Sequence, residues 1–313
     1  MIIGVPREIK TRETRVSVTP GGVKKLTEAG HTVMVEENAG LLSGYSNQDY
    51  MDAGAKVESD VNAIWDNAEM IVKVKEPLES EYPFFREGLT LFTYLHLASV
   101  PPLTKAMCET RMTAIGYETV CKADGTLPLL QPMSEVAGRV ATQIGTFFLH
   151  KNQGGKGLLL GGVTGTSRGL VTVIGGGVVG LNAAEVAAGL RAETVVLEIN
   201  DNTIEEINKK YGGAIKAVKS TRETIAEYTK KSDLLVGAVL VAGDRAPHLV
   251  SADMVKTMEP GSVIVDVAID QGGCIETSRP TSHEEPTYTE HHVIHYCVPN
   301  MPAPVSYTHL TLP

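Results

Sequence analysis

The stretch Thr172-Val-Ile-Gly-Gly-Gly-Val-Val-Gly180 constrains this chain more than any other part of it. Its spaced glycines, Gly175, Gly177 and Gly180, follow an apolar, β-branched run of Val171, Val173 and Ile174. Leu181-Asn-Ala-Ala-Glu-Val-Ala-Ala-Gly-Leu190 then reads as a helix, and Thr194-Val-Val-Leu-Glu198 as a second strand ending in an acid. Glycine clusters alone also make plain turns; strand, turn, helix and acid in this order make a dinucleotide cradle. Gly175 permits the tight turn, Gly177 lets the backbone approach a pyrophosphate, and Gly180 allows close helix–strand packing. The pyrophosphate would rest on unpaired N–H groups at the positive end of the helix dipole. A carboxylate at Glu198 accepts from ribose hydroxyls and repels a 2′-phosphate, which favours NAD over NADP.

The rest of the composition removes other classes of function. A net charge of −9 with no basic cluster argues against nucleic acid or anionic membranes as partners. Aromatic residues are only 5% of the chain, too few for base-stacking platforms. The sequence contains no apolar span of membrane length, and Met1-Ile-Ile-Gly reads directly as a strand with no signal peptide. Cys108, Cys121, Cys274 and Cys297 lack C-x-x-C spacing and are expected to stay reduced in a cytoplasm.

At 313 residues the chain is long enough for two α/β domains. Strands are predicted at Ile2–Val5, His31–Glu36, Met70–Val74, Leu89–Tyr94 and Thr113–Gly116, with Val16–Thr19 also extended. Thr19-Pro20 should start a helix running to Ala29, since proline suits the first helical turn. Further helices are predicted near Ser46–Ala53, Asn62–Asn67 and Leu103–Thr110. Pro132 to His150 reads as one long helix, with Val136, Val140 and Ile144 recurring on a face. Beyond the glycine motif, strands follow at Leu234–Val236, Val263–Val267 and Val293–Cys297. This alternation predicts two Rossmann-like, doubly wound parallel sheets joined by the long helix, with a ligand cleft between them. The expected boundaries are 1–128 for a substrate domain, 129–302 for a dinucleotide domain and 303–313 for a tail. No internal repeat is visible.

Particular segments resemble the alanine dehydrogenase family and its transhydrogenase relatives. They are Gly4-Val-Pro-Arg-Glu-Ile-Lys10, Glu13-Thr-Arg-Val-Ser-Val-Thr-Pro20, Val72-Lys-Val-Lys-Glu-Pro77, Tyr94-Leu-His-Leu-Ala98 and Met133-Ser-Glu-Val-Ala-Gly-Arg139. Leu235–Leu240, Val265–Cys274 and Cys297-Val-Pro-Asn-Met-Pro302 extend the match in order and spacing. The resemblance implies reversible, NAD-dependent oxidative deamination of L-alanine to pyruvate and ammonia, in a cytoplasmic homo-oligomer, commonly a hexamer.

It also implies roles for matching residues. Arg15 would hold the substrate carboxylate, and Lys75 its carboxylate and keto oxygen, while Lys73 is expected to be an ordinary solvated lysine. His96 would be the general acid/base, a task suited to an imidazole that titrates near neutrality. Asp270 would orient water or stabilise an iminium; an Asx-turn into Gly272-Gly273 is its structural alternative, and Asp266 reads as the structural acid. Around the cofactor the match carries Ser134, Val178, Val179, Ser220, Val239, Leu240, Val267, Ala268, Ile269, Arg279, Val298, Pro299, Asn300 and Met301.

Departures are few. The family more often has aspartate where Glu198 stands, and a basic residue where Thr203 stands. His291-His-Val-Ile-His295 has a metal-like look, but the segment leads into an apolar strand, so no metal is expected and a solvated strand start is. After Pro302 the family continues for several dozen residues, so the last eleven are expected to be a truncated or spliced, non-native ending. Two further readings stay open: the NAD(H)-binding part of a transhydrogenase, and a non-catalytic nucleotide-binding remnant.

Overall fold

A computed structural model of the chain describes residues 1–97, 100–239 and 245–305. The chain divides into two compact units, Met1–Pro132 with residues from Ala303 on, and Met133–Pro302.

The first unit alternates β1 (Ile2–Val5), α1 (Pro20–Glu28), β2 (Thr32–Glu36), α2 (Asn47–Asp52), β3 (Lys56–Glu58), α3 (Val61–Asn67), β4 (Met70–Val72), β5 (Thr90–Thr93), α4 (Pro101–Thr110) and β6 (Thr113–Gly116). Its strands form a sheet in the order β3-β2-β1-β4-β5-β6, and every pairing is parallel. Helix starts follow local chemistry. Thr19 caps α1 through Gly22 N–H with Pro20 in the first turn, and Ser46 and Asp49 make a reciprocal capping box on α2. Side chains alternate across the sheet. Val5, Val33 and Val35 pack with Val23 and Tyr50 on one face, and Ile71 and Leu91 with Ile64, Trp65 and Leu103 on the other.

The second unit comprises α5 (Gln131–Phe148, from its third residue on), β7 (Leu170–Ile174), α6 (Val178–Gly189), β8 (Glu193–Glu198), α7 (Asp201–Tyr211), β9 (Lys216–Lys219), α8 (Arg222–Lys231), β10 (Leu234–Gly237), α9 (Ala252–Val255), β11 (Val263–Asp266), β12 (Thr287–Glu290) and β13 (Val293–Tyr296). Its sheet runs β12-β13-β11-β10-β7-β8-β9, parallel except for the β12–β13 pair. Counted within each unit, both sheets share the doubly wound order 3-2-1-4-5; strand 6 follows in the first, and strand 7 and then the antiparallel strand 6 in the second. That duplication is architectural and leaves no repeat in the sequence.

Three strands escaped the sequence reading: β3, β9 and β12. All are edge strands, and Lys56, Glu58, Lys216 and Lys219 show why: an edge needs no apolar run and is commonly guarded by charge. Conversely, Val16–Thr19 forms no strand. Ser17 Oγ instead donates to Val72 O at 2.7 Å, anchoring that loop to the exit of β4.

Candidate active site and dinucleotide cradle

In an open parallel sheet, ligands bind at the carboxyl ends of the strands, where the strand order reverses. In the first unit that point lies between β1 and β4. Arg15 stands on the loop leaving β1, Lys75 just beyond β4 and His96 just beyond β5. Lys75 is buried, and its Nζ lies 3.1 Å from His96 Nε2. That distance puts the two side chains within hydrogen-bond reach of each other. Tyr94 lines up beside the imidazole, rings 6.0 Å apart and 20° from parallel. Burial pushes the Tyr94 phenol well up, against the pull of the Arg15 charge.

Acidic residues fix these cations. Arg15 is 3% exposed, and Glu13 grips it side-on, Oε1 accepting from Nε at 2.7 Å and Oε2 from Nη2 at 2.6 Å. That grip sets the plane of the guanidinium. Glu76 Oε2 lies 3.4 Å from Lys75 Nζ, and Glu76 Oε1 pairs with Lys10. Burial alone would raise the Glu76 pKa, but Lys75 and Lys10 outweigh it and hold the carboxyl below its usual range.

Lys73 departs from the sequence reading. It is 1% exposed, with Nζ 2.7 Å from Glu81 and 3.6 Å from Glu8, so it is a buried ion-cluster residue and not a solvated one. The cause is the alternation that puts Lys73 and Lys75 on the same side of a buried segment, where a charge needs partners. Burial opposes the Lys73 charge, yet the two acids prevail and raise its pKa. Glu8 is raised, burial outweighing Lys73, and its Oε1 also accepts Val74 N–H at 2.6 Å.

In the second unit each glycine has a separate geometric reason. Gly175 has φ +101°, a conformation L side chains rarely adopt. A Cβ on Gly180 would sit 1.8 Å from Gly175 O, while one on Gly177 would meet nothing within 4 Å. The backbone at Gly177 is therefore open to approach. Helix α6 starts there with no side-chain cap on its first N–H groups, which suits an anion. Glu198 ends β8, its Oε2 accepting Gly176 N–H at 2.7 Å and its Oε1 the N–H groups of Ile199 and Asn200. These residues fit a dinucleotide: a backbone cradle for pyrophosphate with an acid beside it.

Most of the other sequence-derived cofactor residues that the structure describes follow the carboxyl ends of these strands. Val178 and Val179 open α6, and Ser220 follows β9 with its N–H on Glu198 O at 2.8 Å. Ser134 lies on α5 one turn before Gly138, where a Cβ would meet Val179 O at 2.2 Å. Val239 follows β10, and Leu240 lies outside the described residues. Val267, Ala268, Ile269 and Asp270 form a 3-10 turn after β11, and Pro299 and Asn300 follow β13. Val298 and Met301 are core residues of the unit, so they could offer a ligand mainly backbone. Arg279 is exposed and lies over the Tyr288 ring, 4.0 Å from its centroid.

The two acids at β11 differ in burial. Asp266 is fully buried, accepting from the N–H groups of Ala268, Cys274 and Ile275, whereas Asp270 is exposed. The solvated start expected for 291–295 is corrected at His295. It lies inside β13, fully buried, with Nε2 2.8 Å from Thr277 Oγ1 and Nδ1 3.0 Å from Val293 O. Among the described residues no group of three or more His, Cys, Asp or Glu is arranged to hold a metal. None of their helices is long and apolar enough to cross a membrane. All four cysteines are free, Cys274 and Cys297 buried.

Sequence reasoning missed Glu8, Glu13, Glu76 and Glu118 as residues of this site. Glu13 and Glu76 were within reach, two positions from Arg15 and one from Lys75; Glu8 and Glu118 meet their partners only through the sheet.

Two doubly wound α/β units, the second with a glycine cradle open to a pyrophosphate, define a Rossmann-type dinucleotide-binding protein. The pattern described as Alanine dehydrogenase/PNT, N-terminal domain, matches residues 4–137, and Alanine dehydrogenase/PNT, C-terminal domain, matches residues 141–311. The chain belongs to the alanine dehydrogenase/PNT family. It is 55% identical to an alanine dehydrogenase of Bacillus subtilis (strain 168), over 98% of this chain and 81% of that one. A solved L-alanine dehydrogenase superposes with a TM-score of 0.93 at 49% identity, covering 99% of this chain and 86% of the other. A transhydrogenase from Sinorhizobium meliloti is more distant, with a TM-score of 0.85 at 25% identity over 99% of this chain and 89% of that one.

Proposed function

We propose that the chain catalyses the reversible, NAD-dependent oxidative deamination of L-alanine to pyruvate and ammonia. The observation that carries this reading is the contact of Lys75 with His96 at the carboxyl edge of the first sheet. A protein that only binds NAD(H) needs no acid/base pair there. The much higher identity to alanine dehydrogenases than to the transhydrogenase supports the same choice.

In this reading, Arg15 binds the substrate carboxylate with its planar fork, and Lys75 donates to the carboxylate and the developing carbonyl oxygen. The glycine loop and Glu198 would hold NAD, which when bound would supply the acceptor for the substrate's α-hydrogen as hydride. Once the α-ammonium has given a proton to solvent, loss of that hydride leaves an iminium, whose positive charge Asp270 stabilises. His96 takes a proton from the water that adds to the iminium carbon, returns it to the amine so that ammonia can leave, and takes up the hydroxyl proton as the carbonyl forms. Asp270, its neighbours in the turn after β11 and the segment after β13 complete the nicotinamide surroundings. We assign the active form to a cytoplasmic homo-oligomer, a hexamer by family resemblance.

The test is NADH formation by the purified chain with L-alanine, glycine and L-serine in parallel. Alanine-dependent NADH formation, lost in His96→Ala, is expected. NADH binding without turnover of any amino acid would overturn the reading in favour of a nucleotide-binding protein.

A further inference from the structure

The backbone of His96 has φ +49°, in the left-handed region that a residue with a side chain occupies only when its surroundings hold it there. One group is placed to do so. The carboxylate of Glu118 accepts His96 N–H at 2.7 Å and Leu95 N–H at 3.0 and 3.2 Å. Two successive N–H groups converging on one anion form a nest, which exists only while the backbone keeps this shape.

Glu118 comes from the neighbouring strand. It lies on the 3-10 turn Tyr117–Thr119 after β6, and β6 pairs with β5 through Thr93 and Gly116. Its side chain folds back over Gly116, where a Cβ would come within 3.1 Å of Oε2. A larger residue at 116 would crowd the carboxylate off the nest. The imidazole direction follows from the backbone at 95–96, and it is this direction that brings Nε2 to 3.1 Å from Lys75 Nζ.

We propose that Glu118 is a positioning residue for His96: its carboxylate holds the left-handed backbone that aims the imidazole at Lys75 and the substrate. The proposal rests on the functional reading in which His96 moves the proton. Among the described residues Glu118 bonds to the backbone N–H groups of these two, so it acts through His96.

The experiment uses the full chain as Glu118→Ala, Glu118→Gln, His96→Ala and the Glu118→Ala/His96→Ala double variant. With the acceptor removed, kcat for L-alanine should fall by about a hundredfold, the cost of a misaimed catalytic group, with NADH affinity unchanged. The double variant should be no slower than His96→Ala alone, because a residue acting through His96 has nothing left to position. Glu118→Gln keeps an acceptor oxygen and should recover much of the loss. Wild-type kcat in Glu118→Ala, or costs that multiply in the double variant, would overturn the proposal. Amide hydrogen exchange at Leu95 and His96 gives a readout independent of turnover. It should accelerate in Glu118→Gln and more so in Glu118→Ala, and unchanged protection would overturn the proposal. If the wild-type chain does not oxidise alanine, the functional reading fails, while the exchange measurement still decides what Glu118 holds.

Discussion

Gly177 and Gly180 stand three residues apart in one motif, yet their substitution by alanine should fail in opposite ways. At Gly180 the new Cβ would lie 1.8 Å from Gly175 O, far inside the 3.4 Å at which ordinary contact begins, and 3.1 Å from Val173 Cγ1. The first obstacle is a backbone carbonyl, which no rotamer change can clear, so α6 must move off β7. Overpacking costs about 1–3 kcal/mol, and a backbone clash belongs at the upper end, about 3 kcal/mol. For a unit of this size that lowers the melting temperature by about 6–12 °C.

At Gly177 the protein itself offers no obstacle: φ is −75°, and nothing lies within 4 Å of the new atom. Only the N-cap preference is lost, at most about 1 kcal/mol. The Cβ instead occupies the space through which a pyrophosphate reaches the first N–H groups of α6. Losing two charge-assisted hydrogen bonds at about 1.5 kcal/mol each weakens NADH binding by roughly a hundredfold. Calorimetric melting and NADH fluorescence titration separate the two effects. Gly177→Ala should melt close to wild type and bind poorly, and Gly180→Ala should melt early. Wild-type NADH affinity in Gly177→Ala would refute the assignment of that open backbone to the pyrophosphate. A wild-type melting temperature in Gly180→Ala would refute the packing argument.

Lys73→Met should destabilise the first unit by about 3–5 kcal/mol, since it strands the buried carboxylates of Glu8 and Glu81. Trp65, the only tryptophan and fully buried in that unit, reports its urea unfolding; an unchanged midpoint would contradict the ion cluster. Arg15→Lys loses the two-pronged grip on a carboxylate and should raise KM for L-alanine by about 30-fold, or about 2 kcal/mol, with NADH affinity intact. An unchanged KM would remove Arg15 from the substrate site. Glu76 has its folded pKa below its ordinary 4.5, so the unfolded chain binds more protons in that interval. Its contribution to stability is present above pH 4.5 and is lost as pH falls from there through the lowered folded pKa, a loss that Glu76→Gln should flatten in acid-unfolding curves.

Much of the chemistry was legible in one dimension because it is local. Thr19 and Pro20 announce α1 within four residues, and the glycine spacing needs only a strand before it and a helix after it. The central strands bury both faces and so read as apolar runs. The edge strands β3, β9 and β12 pair on one side only, carry charge or hydroxyls, and were not seen. The aim of a side chain was not legible either. Lys73 and Lys75 are two lysines two positions apart in the same kind of segment, and nothing in Val72-Lys-Val-Lys-Glu76 separates them.

Family resemblance named the cations at the first sheet's edge; the sequence by itself determined the class of fold and the dinucleotide cradle. These rest on backbone constraints and periodicities that neighbours in the chain decide among themselves. Only the tertiary structure decided which of those cations face each other and which acids hold them. Glu8 reaches Lys73 and Val74 across two parallel strands, and Glu118 reaches His96 from the next strand over. Such pairings depend on the strand order of the sheet, because a charge taken out of water accepts whichever partner the packing brings within a few ångströms.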